Sequence, residues 1–454
     1  MVEMDRSAHN LAAGWADFLK VLVFGVATLL VLVVSIISPY LGIAALGLLL
    51  AGLILGVNLR WGILSLVLLV PFDPQVELKP GFFFYFDLLF ILPFLVYLWK
   101  VVLGKLRINW ASLALVPYVL FAIASTFWRS EDLFWFSGYS VRLIIAVFFM
   151  AVIAGVGRAE TITLVLGASL VPQVTYGVYQ QLVDAPGALY VLLYPHYEGY
   201  AWTGRARGFF FTENNLGSYC ATVSVMLLAL ALKTKSPRDR TACYTLASFG
   251  FLGLASSGSR GAWLGAVAGI TLLFIYSRAG LGAKVALVAA AALGVLVAQS
   301  VSFAPWARVQ TLDTFTVDTR TSMYLAALLL FVQHPLIGVG LTNYQVLMSS
   351  VVDWAYDAGN VAHNTYLQIL SENGIIGFLL FFGPIFCFFY RNLKRAKELT
   401  AALLSCAGLM VFFVHGLFDF QFTTAPQYLL LFAILFGLSS KTAFEPAAVP
   451  GTTS

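Results

Sequence analysis

The chain has 454 residues, 60% of them hydrophobic and only 10% charged, where an ordinary soluble domain is about 45–50% apolar and about 25% charged. That composition excludes a disordered chain, a nucleic-acid-binding protein and a typical soluble enzyme. Its long unbroken apolar runs also exclude an outer-membrane barrel, whose strands alternate. The expected class is an all-α polytopic membrane protein with about 12, and up to about 14, transmembrane helices, since each span needs about 20 apolar residues.

In chain order, apolar segments fall near 19–37, 40–57, 60–72, 83–103, 111–128, 139–156, 160–182, 215–232, 242–258, 260–277, 283–303, 365–391, 399–416 and 426–440. The pairs 40–57/60–72 and 242–258/260–277 have short members and almost no linker, so either can form a re-entrant hairpin. The run 19–37 is too long for a signal peptide, and no small-residue cleavage site follows it before Pro39. Cys220, Cys243, Cys387 and Cys406 sit in apolar runs without CxxC spacing, which reads as packing.

Charge orients the chain. With the N-terminus in the cytoplasm, only Lys79, Arg129, Arg142, Arg205, Arg207, Arg260, Arg308 and Arg320 of the 26 basic residues fall on the outer side. The clusters at 233–240 and 391–397 anchor the inner side, and both termini are expected inside. The resulting organisation is N-terminal spans (1–183), a long outer loop (184–214), central spans (215–303), a second long outer loop (304–363), C-terminal spans (364–440) and an inner tail (441–454). Loops this long are usually functional. Both are rich in Tyr, Trp and Phe, among them Phe209, Phe210 and Phe211, which suit either an interfacial belt or stacking surfaces for sugars.

Four motifs occupy this outer face. The first runs from Arg205 through Arg207 and Gly208 to Gly217. Thr212 or Asn214 can cap the helix that follows, and that helix N-terminus favours an anion. The second is Ser257-Gly258-Ser259-Arg260-Gly261, a turn between two apolar segments, where an arginine at membrane depth is a functional candidate. The third starts at Arg320, continues as a helix lying in the second loop, and ends at His334-Pro335, because proline disfavours helix at the residue before it. His334 reads as structural. In the fourth, a helix would put His363, Leu367, Leu370, Gly374 and Gly377 on one face, with the glycines admitting another helix and Asn364 beside the histidine. Arginines bind phosphate bidentately, and a histidine at the mouth of such a seam suits a general base. No HExxH, DxD or His/Cys cluster points to a metal. Asp313, Asp318, Asp353 and Asp357 read as solvated loop charges.

These motifs, in this order over roughly 205–377, resemble the O-antigen ligase superfamily, nearest to the lipopolysaccharide O-antigen ligases and related to the O-antigen polymerases. Arg205 fits the family's spacing to Gly208. Arg207 is a second candidate, and Glu213 stands where the family commonly has proline. The resemblance implies a GT-C-like membrane glycosyltransferase of the bacterial inner membrane, acting on the periplasmic face without cofactor or metal. Its donor would be a glycan on undecaprenyl pyrophosphate and its acceptor a sugar hydroxyl of the lipid A core. In that role His363 would be the base, Arg205, Arg207, Arg260 and Arg320 would bind pyrophosphate, and Asn364, Asn214, Gly208, Gly374 and Gly377 would support them. The alternatives are a polymerase or a protein O-oligosaccharyltransferase using the same donor and, more distantly, a transporter of lipid-linked sugar.

Overall fold

A computed structural model describes residues 58–72, 85–127, 133–183, 204–277, 314–352, 361–420 and 426–444, with isolated positions between them. The apolar segments expected at 19–37 and 40–57 lie outside the described residues, as does most of 283–303.

Among the described residues the protein is all helical. In chain order the helices are α1 (Leu59–Leu69), α2 (Tyr85–Val102), α3 (Val116–Phe127), α4 (Leu133–Val156), α5 (Ala159–Leu182), α6 (Glu213–Lys233) and α7 (Pro237–Ser257). They continue as α8 (Arg260–Tyr276), α9 (Thr314–Gln333), α10 (Tyr344–Val351), α11 (Thr365–Arg395), α12 (Thr400–His415) and α13 (Pro426–Ala443). Five stretches among the described residues are long and apolar enough to cross a membrane: Trp110–Phe127, Tyr139–Val156, Ala159–Leu182, Glu213–Lys233 and Thr365–Arg395. Shorter apolar helices accompany them, α8, α12 and α13 among them. The protein is a polytopic membrane protein.

The centre of the bundle is α6, buried along almost its whole length, as expected of a helix that is apolar all round. It packs against α5, α7, α8 and α12. On α8 a glycine every fourth residue (Gly261, Gly265, Gly269) faces α12, where a Cβ would run into His415, the Val411 backbone and the Val411 side chain. This small-residue stripe lets the two helices approach closely. It carries the end of α12 against the turn between α7 and α8.

One expectation needs correction. His363 is not on the helix, and the helical face from His363 to Gly377 is not continuous. The helix α11 begins at Thr365, with Asn364 as its N-cap accepting from the N–H of Tyr366 and Leu367. It then breaks at Gly374, whose φ is 60° and ψ −168°. The break is stitched to the segment after α9: Val339 and Gly340 donate to the Ser371 and Glu372 carbonyls, and Ile375 and Ile376 donate to those of Pro335 and Leu336. Both sides require glycine. A Cβ on Gly374 would collide with the Leu336 backbone, and one on Gly338 with the Glu372 backbone. Irregular backbone inside a membrane bundle must have its polar groups satisfied by protein, and this clasp does so. The glycine of this seam that faces another helix is Gly377, which meets Phe121 of α3. The helix expected in the second long loop is α9, and it ends at Gln333, immediately before His334-Pro335.

Candidate active site

Three glutamines on α5 hold the first motif. Gln180 Oε1 accepts from the N–H of both Arg207 (3.0 Å) and Gly208 (2.9 Å). Gln173 Oε1 accepts from the N–H of Phe209 at 2.9 Å. Gln181 Nε2 donates to the carbonyls of Gly204 (3.2 Å) and Ser256 (2.9 Å), joining the first motif to the end of α7. Gly208 has φ 59°, and a Cβ there would strike Gln173. Thr212 caps α6 by accepting from the Asn215 N–H at 3.3 Å.

The two arginines of this motif part ways. Arg207 is 2% exposed and forms an ion pair with Glu213, Nη2 to Oε1 3.1 Å, with Nε also on Oε1 at 3.2 Å. Glu213, at the position where proline was expected, is its counter-ion. Arg205 is only half-buried. Its Nε donates to the Ser257 carbonyl at 2.8 Å and its Nη2 to Asn214 Oδ1 at 3.2 Å, which ties it to the second motif. A buried charge stripped of its partner costs about 3–5 kcal/mol. Arg207→Ala is therefore expected to lower the thermal midpoint and folded yield sharply, whereas Arg205→Ala lowers activity in protein that still folds. Equal melting curves for the two purified variants would contradict this division.

In the second motif α7 ends at Gly258, left-handed with φ 61°, and α8 starts at Arg260, which is half-buried. A Cβ on Gly261 would touch Phe418 and the His415 ring, so Arg260 stands beside the chain that follows α12.

That chain, His415 to Asp419, is the hub of the site. His363 Nδ1 lies 2.8 Å from Asp419 Oδ1. Asn364 Nδ2 donates to the Leu417 carbonyl at 3.1 Å, Thr365 Oγ1 to the Asp419 carbonyl at 2.9 Å, and the Thr365 N–H to the Gly416 carbonyl at 2.7 Å. From α9, the Tyr324 hydroxyl reaches the carbonyls of His363 and Leu417. Arg320, one turn earlier and half-buried, acts electrostatically on both Asp419 and His415.

The carboxylate of Asp419 is 6% exposed. Burial alone would raise its pKa. The hydrogen bond from His363, the adjacent His363 and His415 rings and the Arg320 guanidinium outweigh burial and hold the carboxyl below the usual carboxylate range. An ionised carboxylate only accepts. In the neutral ring the proton therefore sits on Nδ1, and the lone pair is left on Nε2. His363 itself adopts φ 47°, a region that residues other than glycine rarely enter and that collects at functional sites.

The structure thus brings Arg320, His363 and Asn364 to 415–419, sets Arg260 next to Gly261, which faces that connection, and leaves Arg205 joining Asn214 to the Ser257 carbonyl at the start of the same turn. It sets Arg207 aside in a buried pair and Gly374 and Gly377 in the supporting seam. The outer-loop aromatics Phe210 and Phe211 are buried, and half-buried Phe209 stacks on Tyr176 at 4.6 Å between centroids. The sequence reading missed Asp419, Tyr324 and the α5 glutamines. A lone acid at the end of an apolar run, such as Asp419 in His-Gly-Leu-Phe-Asp, is the signal that was available. Among the described residues no group of three or more metal-ligating side chains occurs. The side chains of Asp313, Asp318, Asp353 and Asp357 lie outside the described residues.

Residues 245–382 match the family model described as O-antigen ligase. The match contains the SGSRG turn, the Arg320–Gly340 segment and the His363–Gly377 segment. The Arg205 motif and Asp419 fall outside it. No curated protein matches the chain. The stretch that carries three of the four motifs is thus similar to the O-antigen ligase family over less than a third of the chain, which supports the likeness to that superfamily.

Proposed function

We propose that the protein is an O-antigen ligase, transferring a glycan from undecaprenyl pyrophosphate to a sugar hydroxyl of the lipid A core on the periplasmic face of the bacterial inner membrane. The observation that carries this reading is the Asp419–His363 pair under the charge of Arg320, with Arg205 tied to the turn that leads into Arg260. The arginines hold the donor pyrophosphate and stabilise the charge that grows as it leaves. The acceptor oxygen attacks the anomeric carbon and gives its proton to His363 Nε2. The bond from that carbon to the pyrophosphate oxygen breaks, its electron pair stays with the leaving pyrophosphate, and the configuration inverts. The Asp419 carboxylate stabilises the imidazolium until its proton passes to water. Apolar grooves between helices hold the lipid tails, and no nucleotide sugar takes part.

Acceptor choice separates this reading from its relatives. Purified protein with a lipid-linked donor should join the glycan to lipid A core. Joining it instead to a second lipid-linked glycan would make the protein a polymerase, and joining it to a peptide a protein O-glycosyltransferase. Arginines here do the charge work that a divalent cation does in other transferases, so transfer should persist in excess chelator. Activity lost to chelator and restored only by added metal would promote Asp313, Asp318, Asp353 or Asp357 to ligands.

A further inference from the structure

We propose that Tyr324 is a positioning residue, whose phenol latches the backbone on both sides of the His363–Asp419 pair to the helix that carries Arg320. The proposal deepens the functional reading above and takes the identity of the base from it. Tyr324 follows Arg320 by four residues on α9, so the two share a helical face. Its hydroxyl oxygen is 3.3 Å from the His363 carbonyl and 3.2 Å from the Leu417 carbonyl. A phenol has one proton to donate, so these two carbonyls share it. The Leu417 carbonyl also accepts from Asn364 Nδ2 at 3.1 Å, as its two lone pairs allow.

The need for such a latch comes from His363 itself. A non-glycine residue at φ 47° persists only where its surroundings over-determine it. Asp419 holds the ring, the Thr365 N–H is bound to the Gly416 carbonyl, and Tyr324 holds the carbonyl. Tyr324 is the member of this set that sits on α9 beside Arg320. An anion gripped by Arg320 therefore fixes the helix that fixes the base, and seating the donor aligns Nε2 for the acceptor.

The test uses the full-length protein in detergent or nanodiscs, wild type and Tyr324→Phe, which removes the hydroxyl alone. Nitrogen NMR of the histidine rings, with His363 assigned through His363→Gln, reports where the ring proton resides at neutral pH, with and without inorganic pyrophosphate. In the variant the Nδ1–H form should lose population, and added pyrophosphate should restore it less than in wild type. Transfer kinetics should show kcat lower by about three- to tenfold with the donor KM within about twofold. An unchanged proton distribution overturns the proposal. So does a kcat that falls only in step with the melting temperature, because that is the signature of a structural brace. Absence of transfer by the wild-type protein to any acceptor would refute the functional reading, while the NMR comparison would still decide the latch.

Discussion

Replacing His363 with alanine is expected to cut glycan transfer by about a hundred- to ten-thousand-fold, the usual contribution of a general base. Insertion and donor binding should survive. The proposed donor grip comes from Arg205, Arg260 and Arg320, none of which depends on the imidazole. His363 lies outside α11, and the cap of that helix is Asn364. Alanine strains this left-handed position no more than histidine does, and Asp419, although it loses the ring, keeps the Phe420 N–H at 2.9 Å and the charge of Arg320. Measuring donor binding and transfer separately decides the point. Normal transfer, or donor binding lost in proportion to activity, would make His363 a ligand or a structural residue.

Asp419→Asn should be nearly as damaging, at about a hundredfold or more. The amide can donate to Nδ1, which the carboxylate cannot. That favours the tautomer with its proton on Nε2 and disables the base without moving it, the effect known for the orienting acid of a catalytic triad. The carboxylate also adds stability. Its folded pKa lies below the unfolded one, which is about 3.9. The contribution is fully present above that value and is lost as pH falls through the depressed folded pKa. The acid-unfolding midpoint of Asp419→Asn should therefore shift toward neutral pH. Transfer by Asp419→Asn within a few-fold of wild type would remove Asp419 from the mechanism.

The apolar helices of the described residues and the motif positions were legible because both are local. Apolar periodicity marks α5, α6 and α11, a Ser or Thr before an apolar run marks a cap, and a proline after His334 marks the end of α9. What the sequence withheld depends on contacts distant along the chain. Arg205 and Arg207 are two residues apart and chemically identical. Only the fold assigns Glu213 to one and the Ser257 carbonyl to the other. Helical spacing placed His363 on the same face as Gly374, but that spacing presumes an unbroken helix. The clasp between 335–340 and 371–376 is a tertiary feature that no local pattern encodes. Asp419 lies 56 residues beyond His363, in a short connection with no spacing rule to flag it. It is the small-residue stripe on α8 that brings this connection to the second motif.

The most direct measurement is the stoichiometry of transfer in proteoliposomes, with a lipid-linked glycan donor and lipid A core in the same membrane. The account predicts one undecaprenyl pyrophosphate released for each new glycosidic bond, in wild-type protein and not in His363→Ala. Donor that crosses the bilayer intact, with no bond formed and no pyrophosphate carrier released, would contradict it and identify a transporter of lipid-linked sugar.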